Sequence, residues 1–297
     1  MNDDGRLSVA VLGAGLIGVD LAAKALRSGA LDLRLIVGRD ERTPGLRQAA
    51  RLGVRTSTDG IRSLTETDEP FDIVFDATNA MSHARHAELL APLGTTLIDL
   101  TPSRVGRMVV PTVNGPAAAA CTDVNMVSCG GQASIPLLHA VSRRHRLDYV
   151  EVVTTAATLS VGRSTRLNLD EYVETTQDAV RDFTGAKDVK SILNISPARP
   201  PATFRVAMSL YGDNLTQESV SALVESAAAG VRAFAGGYDV TACTVNDGRA
   251  FIAVEVTARG DRIPKYAGNI DIINSAALHI AEQYTAGRRA AVERERA

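Results

Sequence analysis

The sequence predicts an α/β fold in two parts: a doubly wound parallel sheet, then an α+β domain on a mostly antiparallel sheet. Three observations predict it. Short apolar runs alternate with helix-period segments as far as Thr101, a glycine cluster separates the first run from the first helix, and β-branched runs with few helices follow from residue 149. Strands interleaved with helices build right-handed βαβ units and a parallel sheet, whereas grouped strands build antiparallel ones. At 297 residues the chain is also long for a single small core and fits two domains.

In order, LSVAVLG (7–13) is a strand, and the helix after it runs through Leu26. LDLRLIVG (31–38) is a strand before a helix near 44–52, FDIVFDAT (71–78) precedes a helix near 80–92, and TTLIDLT (95–101) is a fourth strand. Val109, Val110, Val113 and the NMVSC run (125–129) suggest one or two more strands; a helix after Gly131 carries Ile135, Leu137, Leu138 and Val141. In the second half YVEVVTTAATLS (149–160), SILNIS (191–196) and ATFRVAMSLYG (202–212) are strands by their composition, and 238–260 is a hairpin turning at Asn246-Asp247-Gly248. Helices over 168–184 and 216–235 interrupt them, and SPARPP (196–201) is a rigid turn. An amphipathic helix from 269 ends in the charged tail GRRAAVERERA, expected to be a solvated helix end.

Lys and Arg total 32 against 34 Asp and Glu, for a net charge of −2 without long runs of one sign, so charge lends no support to nucleic-acid or membrane-surface binding. Cys121, Cys129 and Cys243 have no C-x-x-C spacing, which argues against a disulfide framework and a structural zinc; no metal is expected. The acidic N-terminus lacks a signal peptide's basic n-region, and no stretch approaches the roughly 18 apolar residues of a membrane span. A soluble cytoplasmic protein is the expectation.

Gly13-Ala14-Gly15-Leu16-Ile17-Gly18 follows the first strand and opens the first helix. Glycines there allow a tight turn, close approach to a pyrophosphate and close helix–strand contact, and the helix end supplies partial positive charge. The G-x-G-x-x-G pattern is weak alone, but in this strand–turn–helix context it points to dinucleotide binding by a Rossmann-type domain. At the tip of the second strand Asp40 suits a ribose 2′-hydroxyl and Arg39 a 2′-phosphate, which favours NAD over NADP only narrowly; a solvated Arg-Asp turn is the alternative for both. The expected domains are residues 1–128, dinucleotide-binding and completed by the helix over 269–297, and residues 129–268, catalytic and dimer-forming.

Cys129 stands between a strand-like run and Gly130-Gly131, at the boundary of the two expected domains. A sulfur near a helix N-terminus is favoured as thiolate, and the same amides can cradle an oxyanion on an attached carbon. Free cysteines are generally buried packing residues, the reading that suits Cys121 and Cys243; the position of Cys129 favours a nucleophile.

N-M-V-S-C-G-G-Q-A-S-I-P (125–136), with D-L-T-P (99–102), P-T-V-N (111–114) and K-Y-A-G-N-I-D-I (265–272), resembles the acylating acetaldehyde dehydrogenase family, collinearly from Gly13 through Asp271. The resemblance implies conversion of aldehyde, CoA and NAD⁺ to acyl-CoA and NADH through a Cys129 thioester, a homodimer formed by the second domain, and a partner aldolase that passes over the aldehyde, as in aromatic-compound breakdown. It also implies cofactor contacts by Ser160, Val161, Gly162, Arg163, Ser164, Thr165, Arg166, Leu167, Asn168 and Asn269, with Asn168 at the catalytic centre. Asn168-Leu169-Asp170-Glu171 equally resembles a helix N-cap with an acid at N3, and Asn269 equally the start of the last helix.

Two departures stand out. The family's A-G-P-G loop reads Val161-Gly162-Arg163-Ser164 here, and its M-R-D-T stretch, whose Asp is thought to help activate the cysteine, reads Phe204-Arg205-Val206-Ala207; Arg199 replaces the acid of the preceding turn. Three consequences compete: Cys129 activated by the helix terminus and nearby arginines, an anionic substrate paired by Arg163, Arg199 or Arg205, or a catalytically impaired NAD-binding partner of an aldolase. A phosphorylating semialdehyde dehydrogenase shares the same two-domain design. The five histidines all fall on predicted helices, where surface or core roles are the default.

Overall fold

The computed structural model describes residues 5–260 and 262–296, the side chains of 289–296 excepted; the charged ends of the tail thus lie outside the described residues. The chain divides into two compact units, one ending at Met126 and resuming at Asn274, the other Val127–Ile273.

The first unit runs β1 (Leu7–Leu12), α1 (Leu16–Ala25), β2 (Leu31–Val37), α2 (Pro44–Arg51), β3 (Arg55–Ser57), α3 (Arg62–Thr65), β4 (Ile73–Asp76), α4 (Ala80–Leu90), β5 (Thr96–Asp99), β6 (Arg107–Met108), α5 (Pro111–Ala118) and β7 (Asp123–Asn125). Its seven strands lie in the order β3-β2-β1-β4-β5-β7-β6, every pairing parallel. The order reverses direction at β1, beside β4, where open parallel sheets bind their ligands. All six residues of β1 and all four of β4 and of β5 are buried, because helices cover both faces of such a sheet and make its strands continuous apolar runs. Leu12, Leu35, Val74, Phe71, Leu90 and Leu97 pack together on one side.

Two strand expectations are corrected here. Val109 and Val110 follow β6 rather than forming a strand, and Val113 is helical: Pro111 fits the first position of α5, and the Asn114 side chain closes the turn by accepting from the Val110 amide and donating to the Met108 carbonyl, both at 2.9 Å. In NMVSC only Asn125 is strand, the end of β7.

The second unit runs α6 (Cys129–Ser142), β8 (Leu147–Ala157), α7 (Arg163–Leu167), α8 (Leu169–Thr184), β9 (Asp188–Ser196), β10 (Phe204–Gly212), α9 (Gln217–Arg232), β11 (Tyr238–Asn246) and β12 (Arg249–Val256), then begins α10 (Gly268–Arg296). Its five-stranded sheet has the order β11-β12-β10-β8-β9; all pairings are antiparallel except β8 with β9. In β10 Phe204, Val206, Met208 and Leu210 are fully buried and alternate with more open neighbours, so one face of the sheet packs beneath helices. Burying each such side chain contributes about 1.5–3 kcal/mol. The hairpin turns where expected: Asp247 (φ 48°) and Gly248 (φ 72°) both take the left-handed region, as a two-residue type I′ loop requires. No helix among the described residues is long and apolar enough to cross a membrane.

Candidate active site

In the first unit the glycine loop has two kinds of glycine. A Cβ on Gly13 (φ 112°) would lie 2.6 Å from the Ala77 carbonyl oxygen, and one on Gly18 would lie 1.8 Å from that of Gly13, so the fold itself excludes side chains there. A Cβ on Gly15 would meet nothing within 4 Å. Internal packing therefore does not require a glycine at position 15, whose backbone is open on its outer side. Gly15 is the N-cap of α1 and offers no capping side chain, and Leu16 beside it is half exposed. Ala14 is buried under the turn, and the Ile17 carbonyl accepts at 3.0 Å from Asn274, which also donates to Asp20 at 2.8 Å. At the tip of β2 Arg39 is exposed, and the Asp40 carboxylate accepts from the Arg42 amide (2.8 Å) and guanidinium (3.2 Å), contacts that hold it below its ordinary pKa.

The helix bearing the cysteine begins at Cys129 itself, not after Gly131. Ser128 is its N-cap, and the Ser128 hydroxyl accepts from the Gly131 amide at 2.9 Å and meets Thr176 Oγ1 of α8 at 2.8 Å. The glycines lie inside the first turn because nothing larger fits. A Cβ on Gly130 would stand 2.3 Å from Thr154 Oγ1 and 2.6 Å from the Tyr172 hydroxyl, and one on Gly131 would stand 2.6 Å from the Val127 side chain. Val127 holds φ at 63°, a region costly for a β-branched residue and concentrated at functional sites.

Cys129 Sγ lies 3.4 Å from the Tyr172 hydroxyl of α8, which accepts from the Gly130 amide at 3.1 Å. Burial pushes the thiol above its ordinary pKa, against the pull of Tyr172 and the Gly130 and Cys129 amides. The amides of Gly130 and Gly131 are thus engaged with Tyr172 and Ser128, which changes the part they can play in cradling an oxyanion.

Across the loop after β8, Ser160 and Asn269 come together: Asn269 Nδ2, in the first turn of α10, donates to the Ser160 carbonyl at 2.9 Å. Asn269 Oδ1 is buried with no hydrogen-bond partner among the described residues. Val161 is buried, Gly162 caps α7, and Arg163, Ser164, Thr165, Arg166 and Leu167 form that single turn; Arg166 folds back to donate to the carbonyls of Thr158 (2.9 Å) and Val161 (3.3 Å). Leu159 and Leu167 are left 64% and 66% exposed, an apolar surface beside the loop. Asn168 occupies the N-cap position of α8 and is buried, but its side chain does not cap the helix, which corrects the capping expectation: its φ/ψ of −125°/45° is not the extended geometry of a side-chain cap.

Nor do arginines surround the thiol. Arg205 lies on the exposed face of β10 and pairs with Glu255 of β12 at 2.7 Å, while Arg163 and Arg199 are exposed; among the described residues, the groups acting on Cys129 are Tyr172 and backbone amides. Val206, next to Arg205, faces inward opposite Thr154.

Sequence reading also missed a buried ionic cluster in the first unit. Asp76 and Asp99, ending β4 and β5, are fully buried; His83 Nδ1 of α4 meets Asp76 at 2.9 Å and Asp99 at 3.5 Å, its Nε2 meets Asp123 at 3.2 Å, and His86 meets Asp76 at 2.7 Å. Burial alone would lower the His83 pKa, but the Asp123 and Asp76 hydrogen bonds and the Asp99 charge lift it to about 10. The ligand set could hold a metal, but these direct contacts are hydrogen-bond lengths and a histidinium already serves as the counter-ion. The one available signal was His83-x-x-His86 on a helix between two strands ending in Asp.

Residues 129–264 match the family model described as prokaryotic acetaldehyde dehydrogenase, dimerisation. An acetaldehyde dehydrogenase of Streptomyces griseus is 53% identical over 279 residues, 94% of this chain and 90% of its own length. Proteins of the same name from Burkholderia pseudomallei and Geobacillus stearothermophilus are 42% and 40% identical, covering 93% and 94% of this chain and 94% and 96% of their own lengths. Among solved structures, aspartate semialdehyde dehydrogenase II of Vibrio cholerae complexed with ASA has a TM-score of 0.68 at 15% identity, covering 93% of this chain and 97% of that one, a likeness of fold. On identity sustained over nearly its whole length, the chain belongs to the acetaldehyde dehydrogenase family.

Proposed function

We propose that the protein converts a short aldehyde, CoA and NAD⁺ to acyl-CoA and NADH through a thioester on Cys129. Family membership makes it an aldehyde-oxidising oxidoreductase with a nicotinamide cofactor. The thioester route is carried by one observation, the Cys129 sulfur at the first position of α6 with the Tyr172 hydroxyl and the helix amides turned toward it.

Bound NAD supplies the hydride acceptor. Two features support its fit: the bare Gly15 backbone, and the buried acceptor Asn269 Oδ1, which suits an amide donor such as a nicotinamide carboxamide. Gly13 through Gly18 would hold the pyrophosphate. Asp40 would accept from the ribose, displacing its exposed contact with Arg42; NADP remains the variant that Arg39 and Arg42 would favour. Ser160 through Asn168 and Asn269 would flank the nicotinamide end.

The Cys129 thiol loses its proton to solvent, and the thiolate attacks the carbonyl carbon, so that an S–C bond forms and the carbonyl π pair moves to oxygen. That oxyanion is favoured by the positive end of α6. As the C=O bond re-forms, hydride leaves the carbon and a thioester stays on Cys129; CoA thiolate then attacks it and Cys129 leaves as thiolate. Gly130 and Gly131 contribute by having no side chain, which lets Tyr172 and Ser128 reach the turn. The steps run equally in reverse. The same proposal includes a cytoplasmic homodimer, supported by the dimerisation description of the matching family model, and a partner aldolase, supported by the family resemblance.

The test follows NADH and NADPH formation from a panel of short neutral and acidic aldehydes with either CoA or phosphate, and looks by mass for an acylated Cys129. CoA-dependent turnover with the adduct is expected; turnover with phosphate in place of CoA would instead identify a phosphorylating enzyme.

A further inference from the structure

Resting on the reading of Cys129 as nucleophile, we infer that Tyr172 is a further catalytic residue: its hydroxyl donates a hydrogen bond to Cys129 Sγ and stabilises the thiolate, where no ionised partner stands among the described residues.

Hydrogen bookkeeping at the hydroxyl gives the direction. Tyr172 Oη accepts the Gly130 N–H at 3.1 Å and Thr154 acts on it as a second donor, so the hydroxyl's own O–H is available to the sulfur 3.4 Å away. A thiolate has no proton to donate, so in the reactive state the donor must be Tyr172. The backbone supports that placement. Thr154 Oγ1 and Tyr172 Oη converge on the point where a Gly130 Cβ would stand, and Thr176, one turn after Tyr172, ties α8 to the cap residue Ser128. Val206 pairs directly with Thr154 across β10 and β8 and shares its face of the sheet, so the strand position nearest these hydroxyls offers no acid or base. Among the described residues, the interactions felt by Cys129 come from Tyr172 and from amides, with no carboxylate, histidine or cation among them.

Tyr172 acts as donor, not base. Burial and the adjacent sulfur raise its own ionisation well above the ordinary phenol range, so it keeps its proton, and the Cys129 proton leaves to water. A hydrogen bond to an ionised group is among the stronger ones, and its loss falls directly on the thiol–thiolate equilibrium.

The test is the pH dependence of iodoacetamide labelling of Cys129 in the full chain without substrates, with Cys121 and Cys243 resolved by peptide mass. Tyr172→Phe is expected to move the midpoint of the labelling curve up by about one pH unit and to slow labelling about ten-fold near neutrality. Uniform 3-fluorotyrosine labelling of the unmutated chain makes the phenol a stronger donor and is expected to move the midpoint down; this arm holds even if the Phe variant does not fold. A midpoint that stays in place in both arms overturns the assignment while leaving Cys129 as nucleophile. Labelling of Cys129 in the unmodified chain no faster than that of Cys121 or Cys243 overturns both readings.

Discussion

The two units bury reactive groups by opposite means. In the first, Asp76 and Asp99 lose all contact with solvent at the ends of adjacent strands, and charge answers charge: His83 lies between them and His86 and Asp123 close the cluster. In the second, Cys129 meets the Tyr172 hydroxyl, the hydroxyls of Thr154, Ser128 and Thr176 line the same helix turn, and among the described residues no ion acts on the thiol. A carboxylate taken out of water without a counter-charge would neutralise or unfold the site, so the first cluster is locked by its own electrostatics. A thiol is neutral when buried, so the second site can fold without a counter-charge and spend its hydrogen bonds on the thiolate. The first arrangement suits architecture and the second reactivity.

The contrast breaks most completely at the sulfur. Cys129→Ser is expected to lower CoA-dependent NADH formation by about 10³-fold or more in single-turnover assays, with a thermal midpoint close to that of the parent. A residual rate near the parent's would remove Cys129 from the mechanism.

Breaking the ionic side should instead cost stability. His83→Leu leaves buried carboxylates without their cation and is expected to destabilise the first unit by about 3–5 kcal/mol in denaturant melts. The sign with pH follows from the raised folded-state value. The His83 contribution is complete below its unfolded pKa of 6.5 and is lost as pH rises through about 10. Asp99, raised to about 6 by burial and by the Asp76 charge against the attraction of His83, acts in the same direction at lower pH: stability falls as pH rises from about 4 to 6, where ionising it is costly. Thermal midpoints should therefore fall between pH 7 and 11 in the parent and fall less steeply in His83→Gln; parallel curves would show that the histidine is not the titrating counter-ion.

The smallest change probes the hydroxyl pocket. Gly130→Ala would set a methyl 2.3 Å from Thr154 Oγ1 and 2.6 Å from the Tyr172 hydroxyl. Displacing them is expected to cost about 1–3 kcal/mol and to slow Cys129 labelling. Unchanged labelling kinetics would mean that the glycine is kept for backbone reasons alone.

How much of this was legible depends on range. β1, β2, β4 and β5 were readable because strands buried on both faces must be apolar throughout, and the Asp247-Gly248 turn because only a few residues accept two left-handed positions in succession. β3, Arg-Thr-Ser, and β6, Arg-Met, carry too few apolar side chains to announce themselves and exist through pairing with β2 and β7. The helix start was misjudged by three residues because Gly130-Gly131 reads as a turn, whereas the packing of Thr154, Tyr172 and Val127 makes glycine the only fit inside a helix. Cys129 stood out from its neighbours in the chain; Tyr172, 43 residues away and 3.4 Å from its sulfur, did not.

By itself, then, the sequence determined the two-part architecture, the glycine loop and the cysteine, since each is written in side-chain periodicity or in residues adjacent along the chain. Only the tertiary structure decided what those groups face: Asn269 on Ser160, His83 among three aspartates, Arg205 turned away onto Glu255, and Tyr172 on the cysteine. The physical reason is that pKa and reactivity depend on neighbours within a few ångströms, and in a packed interior those neighbours come from elements distant in the chain.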